Sequence, residues 1–238
     1  MENPVRRAIL LKLMLKPCLG YSELWDKELD SNKFAYHLKV LETDGLIIKN
    51  SSRYELTSEG KKCVVDFDNQ SGKKIDLPLT CVLLVVFKGD RILLHHRLKE
   101  PFYDWYGFPG TRLRFGERVL DCASRGLKEE TSMSADLEIA ALYNFRTFNN
   151  NKLAYHHTQF IIKCTNPIGD LKTEDREGTF QWATEKEVRA AKLFPDDPHV
   201  LDTIKSGQFK IVEMDRFQEN DEFVGIKVTA EHIIKKSL

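Results

Sequence analysis

At 238 residues the chain is long enough for two modest domains with separate cores. Its 36 Lys and Arg balance 36 Asp and Glu, and a formal net charge of zero excludes a general polyanion binder. The 42% hydrophobic and 30% charged composition fits a globular chain, and no stretch approaches the roughly 18 apolar residues of a membrane helix, so no membrane partner is expected.

The first element is a helix over Pro4 to Lys16, with Val5, Ile9, Leu10, Leu13 and Met14 at helical spacing and Pro17 ending it. Arg6-Arg7 before an apolar run imitates a signal peptide, but Lys12 and Lys16 interrupt the run and no small-residue cleavage site follows. Cys18, Cys63, Cys81, Cys122 and Cys164 form no Cys-x-x-Cys pair and read as reduced thiols, so the expected location is cytoplasmic. Tyr21 to Trp25 opens a short second helix. Ser31 is the expected N-cap of a third, running Asn32 to Asp44 with Phe34, Leu38 and Leu41 inward and Gly45 closing it. Leu46–Lys49 and Tyr54–Leu56 read as strands around a polar turn, and Thr57 caps a last helix from Ser58.

The run His37 to Ile47, followed by Leu56-Thr57-Ser58-Glu59-Gly60, resembles the winged helix-turn-helix of small transcription regulators over residues 1–68. That resemblance implies a homodimer on double-stranded DNA. Its base- and backbone-reading candidates are Ser31, Asn32, Lys33, Tyr36, His37 and Lys39 on the third helix, with Ser52 and Arg53 at the wing tip. Thirteen Lys and Arg against twelve Asp and Glu in residues 1–80 leave this region only weakly basic. The polar stretch around residues 69–77 reads as a linker.

Thr80–Phe87 is an apolar strand that turns through Lys88-Gly89-Asp90 into a second strand, Arg91–Arg97. Trp105 to Gly110 then leads into a loop and helix. Leu153–Cys164 and Thr179–Ala183 are further expected strands, and Glu185–Ala191 a closing helix. Residues 109–133 resemble the Nudix box, whose pattern is Gly, five residues, Glu, seven residues, then Arg-Glu-aliphatic-x-Glu-Glu-x-Gly-aliphatic. Glu117, Arg125, Leu127, Glu129, Glu130 and Met133 fall on the pattern, whereas Thr111, Gly126 and Ser132 replace the first glycine, the first clustered glutamate and the last glycine.

The resemblance implies an α/β (α+β) fold: a Nudix α/β/α sandwich over residues 78–205, after the winged helix. It implies Glu117, Arg125, Glu129 and Glu130 as catalytic residues, with Glu129 and Glu130 as ligands of Mg and a nucleoside diphosphate-type small molecule as ligand. Carboxylates three and four apart on a helix converge on one hard cation. Gly126 removes one of them, so metal binding is expected to be weak and hydrolysis impaired. Glu174, Asp175 and Glu177 form an acidic loop able to supply another carboxylate. Arg97 and Arg112 are phosphate candidates, and Phe102, Tyr103, Trp105, Tyr106 and Phe108 offer rings for a base. Residues 206–238 read as an extra hairpin that either extends the sheet or makes a dimer contact. Two functions follow: a DNA-binding transcription regulator that senses a nucleotide metabolite, or an active Mg-dependent Nudix hydrolase with the winged helix as accessory.

Overall fold

A computed structural model describes residues 3–234 of the chain, which divides into two compact units, Met1–Leu77 and Pro78–Leu238. Among the described residues, no helix is long and apolar enough to cross a membrane.

In the first unit, α1 (Pro4–Leu15) starts on Asn3, whose side chain accepts from the Val5 and Arg6 amides, with Pro4 at the first helical position. Its Ile9, Leu10 and Leu13 are buried. After β1 (Leu19–Gly20) and α2 (Tyr21–Leu24) comes α3 (Ser31–Thr43), which buries Phe34, Leu38 and Leu41. Its N-cap is Asp30 rather than the expected Ser31: the Asp30 carboxylate accepts from the Asn32 and Lys33 amides. A carboxylate is favoured there because it satisfies two orphan donors and also faces the positive end of the helix. Ser31, displaced to the first turn, instead pairs through its hydroxyl with Tyr21 at 3.1 Å.

β2 (Ile47–Asn50) and β3 (Arg53–Leu56) form a hairpin, and β1 adds to it in the order β1-β3-β2. α4 (Ser58–Val64) is capped by Thr57, which accepts from the Gly60 amide. Gly60 has a steric reason: a Cβ there would lie 1.9 Å from the Leu46 carbonyl oxygen. The Leu-Thr-x-x-Gly string thus reports a close helix–strand approach. The polar stretch after α4 is a folded turn that belongs to this unit. Phe67 is buried in its core, Phe67 and Lys74 form a β-bridge, and Asp68 accepts from the amides of Gln70 and Ser71.

The second unit is a nine-stranded sheet between two helical layers. Its strands are β4 (Leu79–Lys88), β5 (Arg91–Arg97), β6 (Tyr106–Gly107), β7 (Gly110–Arg112), β8 (Ser134–Asn149), β9 (Lys152–Ile168), β10 (Gly178–Thr184), β11 (Phe209–Glu219) and β12 (Glu222–Ile234). They run in the order β10-β5-β4-β9-β8-β11-β12, with β6 on β5 and β7 on β4. Alternation along β4 feeds both cores. Leu83 and Val85 pack with Val188, Val200, Leu201 and Ile204 of α6 (Glu185–Ala190) and α7 (Asp197–Ser206). Val82, Leu84 and Val86 pack with Cys122, Ala123 and Leu127 of α5 (Val119–Thr131).

Two strand pairings position the site. β4 and β5 pair only at Phe87↔Ile92 and Lys88↔Arg91, then part, and β7 takes the vacated edge of β4 at Cys81–Leu83. A cleft opens where they diverge. At the other side β11 runs parallel to β8 and antiparallel to β12, so the C-terminal hairpin extends this sheet. β8 was not singled out in the sequence, although Ala135, Leu137 and Ile139, then Tyr143 and Phe145, alternate with polar residues in the period-two pattern of a half-buried strand.

Candidate functional site

The loop and helix of residues 112–130 are tied together by one guanidinium. Arg125 donates through Nε to Glu117 Oε1 at 2.7 Å and through Nη2 to Glu117 Oε2 at 2.9 Å. The same group reaches Glu129 Oε2 at 3.0 Å and the Arg112 carbonyl at 3.0 Å. Such a bidentate fork is geometrically specific for arginine. The Arg125 hydrogen bonds, followed by the Arg114 amide, pull the Glu117 carboxyl down to about 2. Glu129 is also within 3.4 Å of Arg114 Nη2. These three residues form a structural clasp that fixes the loop on the helix.

Glu130 is separate. It lines a cavity of about 360 Å³ in the cleft between β4 and β5. Burial, with Asp175, Glu177 and Glu129 nearby, lifts its carboxyl to about 8. Asp175 and Glu177 of the acidic loop line the same cavity. Asp175 turns part of its capacity inward, accepting from the Glu177 and Gly178 amides, and Glu177 is salt-bridged to Lys99 at 2.7 Å. Glu174 forms a bridge to Thr179 outside the lining.

The two departures from the box pattern at 111 and 126 touch each other. Gly126 faces Thr111, and a Cβ added to Gly126 would lie 2.4 Å from the Thr111 Cγ2 methyl. The threonine methyl therefore fills the space that a side chain at 126 would need. Sequence pattern lists Thr111 and Gly126 as two separate losses; packing makes them one exchange. A hard cation needs several oxygen donors together. Among the described residues, no three His, Cys, Asp or Glu side chains are grouped to hold one. Glu129 is engaged by two arginines and Glu130 stands alone on the helix, so the donor set present does not fit a tightly held magnesium cluster.

What the cavity offers instead is unpaired polarity. His95 Nε2, His157 Nδ1, Gln159 Oε1, Asp197 Oδ2 and Arg216 Nε are buried without a partner, and all five residues line it. Each such atom costs about 1–3 kcal/mol unless something bonds it. Five residues carrying such atoms around one cavity of ligand size make it a candidate polar ligand site. Arg97 and Arg112 also line it. Arg97 is held by the Pro101 carbonyl at 2.7 Å, whereas the Arg112 side chain has no hydrogen-bond or ion-pair partner among the described residues. Of the aromatic run, Phe102 and Phe108 line the cavity. Trp105 is buried beneath Lys192, Tyr106 stacks on His96 at 4.1 Å and Tyr103 is exposed. A larger depression of about 500 Å³ between the β8–β9 and β11–β12 turns shares none of these residues.

His157 gives this site a pH signature. Burial, then Arg216 and Arg112, holds its imidazole down at about 4 from an ordinary 6.5, with His156 acting in the same direction and Asp196 opposing. Between those values the unfolded chain binds a proton that the folded one refuses. Stability from the neutral ring is therefore full above about 6.5 and falls as pH drops toward 4. Urea unfolding at pH 5 and pH 7 is expected to show a smaller difference in His157→Gln than in wild type. Equal differences would mean that this ring carries no such linkage.

On the first unit, Ser31, Asn32, Lys33, Tyr36 and Lys39 are exposed on α3, and His37 is half-buried with Nδ1 unpaired. Ser31 shares its hydroxyl with Tyr21. Arg53 is less free than its wing position suggests: it donates to the Cys18 carbonyl at 2.9 Å and pairs with Glu23 at 3.1 Å. Ser52 is exposed at the turn.

Sequence reasoning singled out neither Gln159 nor Arg216, because their importance comes from burial without partners. It also gave no weight to His157.

Residues 77–204 match the family model described as NUDIX domain. The chain is 24% identical over 154 residues to an uncharacterized Nudix hydrolase, YvcI, of Bacillus subtilis, covering 64% of this chain and 94% of that protein. Among solved structures, it resembles the mutator MutT protein of Bacillus halodurans with a TM-score of 0.51 at 18% identity, over 63% of this chain and 97% of the other. The Nudix domain of Shewanella oneidensis NrtR, solved with ADP ribose, aligns with a TM-score of 0.49 at 16% identity, over 63% and 98% of the two chains.

Proposed function

The chain belongs to the Nudix family, and from that premise we propose that it is a DNA-binding regulator whose Nudix unit senses a nucleoside diphosphate-type metabolite with little or no hydrolysis. The observation that carries this reading is the Thr111 methyl seated where a side chain at position 126 would stand. A hydrolase of this family uses divalent metal to neutralise the diphosphate and to activate water. Here the donor cluster is one carboxylate short and its space is filled, while five residues that line the cavity each keep a buried polar atom without a partner. Binding is favoured over turnover. The site residues Glu117, Arg125 and Glu129 then serve to hold the loop, and Glu130 to face the ligand.

The first unit supplies the output. Its helix order and hairpin support a winged-helix reading, in which α3 enters the major groove and a homodimer spans two half-sites. Lys33 and Lys39 are exposed on α3 and carry no ion pair among the described residues, so they are the cationic contacts of choice; Asn32 and Tyr36 share that surface. Regulation requires the ligand to favour one DNA-binding state over another.

Selection of a random duplex library at physiological salt is expected to enrich one sequence. Lys33→Ala/Lys39→Ala should weaken binding to it about tenfold or more, and flatten the salt dependence by roughly two charges. No enrichment over random DNA would remove the regulator reading.

One observation favours an active hydrolase instead: Asp175 and Glu177 share the cavity with Glu130 and place further carboxylates near it. Magnesium-dependent cleavage by wild type that Glu130→Gln abolishes would establish that reading.

A further inference from the structure

The cavity is completed by a strand outside the matched family region. β11 begins at Phe209, after residues 77–204, and runs parallel to β8 with Arg216 opposite Thr147. Along β11 the inward positions are Val212, Met214, Arg216 and Gln218, all buried. The first two fill the apolar core; Arg216 is the next inward residue, where core gives way to cavity. Its guanidinium lies 3.6 Å over the Phe145 ring and donates to Asp196, which leaves Nε buried and unpaired. Phe223 of β12 stacks at 5.3 Å on Phe102, which lines the cavity.

We propose that the C-terminal hairpin makes Arg216 a specificity-determining residue, reading with Gln159 and His157 the hydrogen-bonding edge of the ligand's nucleobase. This rests on the reading that the cavity takes a nucleoside diphosphate-type ligand.

Charge decides which end of the ligand lies there. The Arg216 cation is already balanced by Asp196, and Asp197 is buried beside that carboxylate. A phosphate placed at this point would meet the Asp196 carboxylate and gain no free cation. A neutral group bearing both donors and acceptors fits instead: Arg216 Nε donates, Gln159 Oε1 accepts, and a neutral His157 does either. The aromatic wall around them suits a planar ring. The anionic end then lies toward exposed Arg112, whose side chain has no partner among the described residues. A polar site of this kind rejects an ill-matched ligand because its own buried groups are left unpaired.

The test is isothermal titration of the full chain with ADP, GDP, CDP and UDP, with ribose 5-phosphate as a probe lacking the base. Wild type is expected to prefer one base by about tenfold or more. Arg216→Lys keeps the charge but loses Nε–H, and Gln159→Leu keeps the volume but loses the acceptor. Each is expected to cut that preference about tenfold while leaving ribose 5-phosphate affinity within about twofold. Gln159→Leu breaks no ion pair, so it serves if Arg216→Lys misfolds. Unchanged base preference in a folded variant overturns the assignment of Arg216 and Gln159 but leaves the ligand-sensing reading intact. Failure of wild type to bind any of the four nucleotides removes that reading itself. An equal loss for all four nucleotides and for ribose 5-phosphate overturns base reading, because the residues would then act on the shared part.

Discussion

Gly126→Glu by itself is expected to destabilise the protein and to create no magnesium site. The new Cβ would lie 2.4 Å from Thr111 Cγ2 and 3.2 Å from Thr111 Cβ. Thr111 is β-branched and sits in β7, paired opposite Val82 of β4, so neither rotamer nor backbone yields cheaply. Overpacking of this kind costs about 1–3 kcal/mol, and replacing a mid-helix glycine returns roughly 0.5 kcal/mol of helix propensity. The added charge also faces Glu129 and Glu130 one turn on, where like charges repel. Thr111→Gly/Gly126→Glu removes the clash and brings carboxylates 126, 129 and 130 onto one helix face. The double variant should therefore recover most of the lost stability, and its melting temperature should rise with magnesium where wild type and both single variants do not. The two changes are expected to be strongly non-additive, as for any contacting pair. Thermal unfolding with EDTA and with magnesium, on all four proteins, measures this. A single Gly126→Glu variant as stable as wild type and bound to magnesium would show that the space at 126 is free.

This coupling separates what the sequence made legible from what it did not. Periodicity and apolar runs exposed α1, α3, β4 and β5, whereas α5 followed from the resemblance of residues 109–133 to the Nudix box. The box spacing located Glu117, Arg125 and Glu129, which bond to one another at separations of eight and four residues along the chain. Contacts between distant segments were hidden. Thr111 against Gly126 joins a strand to a helix, and Arg216 reaches a carboxylate 20 residues away. The N-cap of α3 was misplaced by one residue because Asp30 and Ser31 are both good caps, and only the backbone turn between them decides. Residues 69–77 had the composition of a linker, yet Lys74 bridges back to Phe67 of the first core. The hairpin at the end had two open readings, and the parallel pairing of β11 with β8 shows that it extends the sheet.

Asp196→Ala is expected to be the most damaging single polar substitution. Asp196 is fully buried and holds the Arg216 guanidinium, which is itself only 9% exposed. Removing one partner of a buried pair leaves an uncompensated charge and costs about 3–5 kcal/mol. Asp197 limits the loss. Burial and the Asp196 charge hold its carboxyl well above the usual range, so deleting Asp196 lets it ionise more readily beside Arg216. The lower end of that range is therefore expected, a fall in melting temperature on the order of 10 °C for a chain of this size. Asp196→Ala/Arg216→Met removes both charges and keeps much of the volume, and buried pairs replaced in this way often lose little stability. Melting temperature should then return toward wild type while base preference in the nucleotide titration stays lost. That split would assign Asp196 to holding the arginine and Arg216 to reading the ligand. An Asp196→Ala variant that melts like wild type would mean that Asp197 replaces it fully, and an Asp196→Ala/Asp197→Asn variant should then show the whole cost.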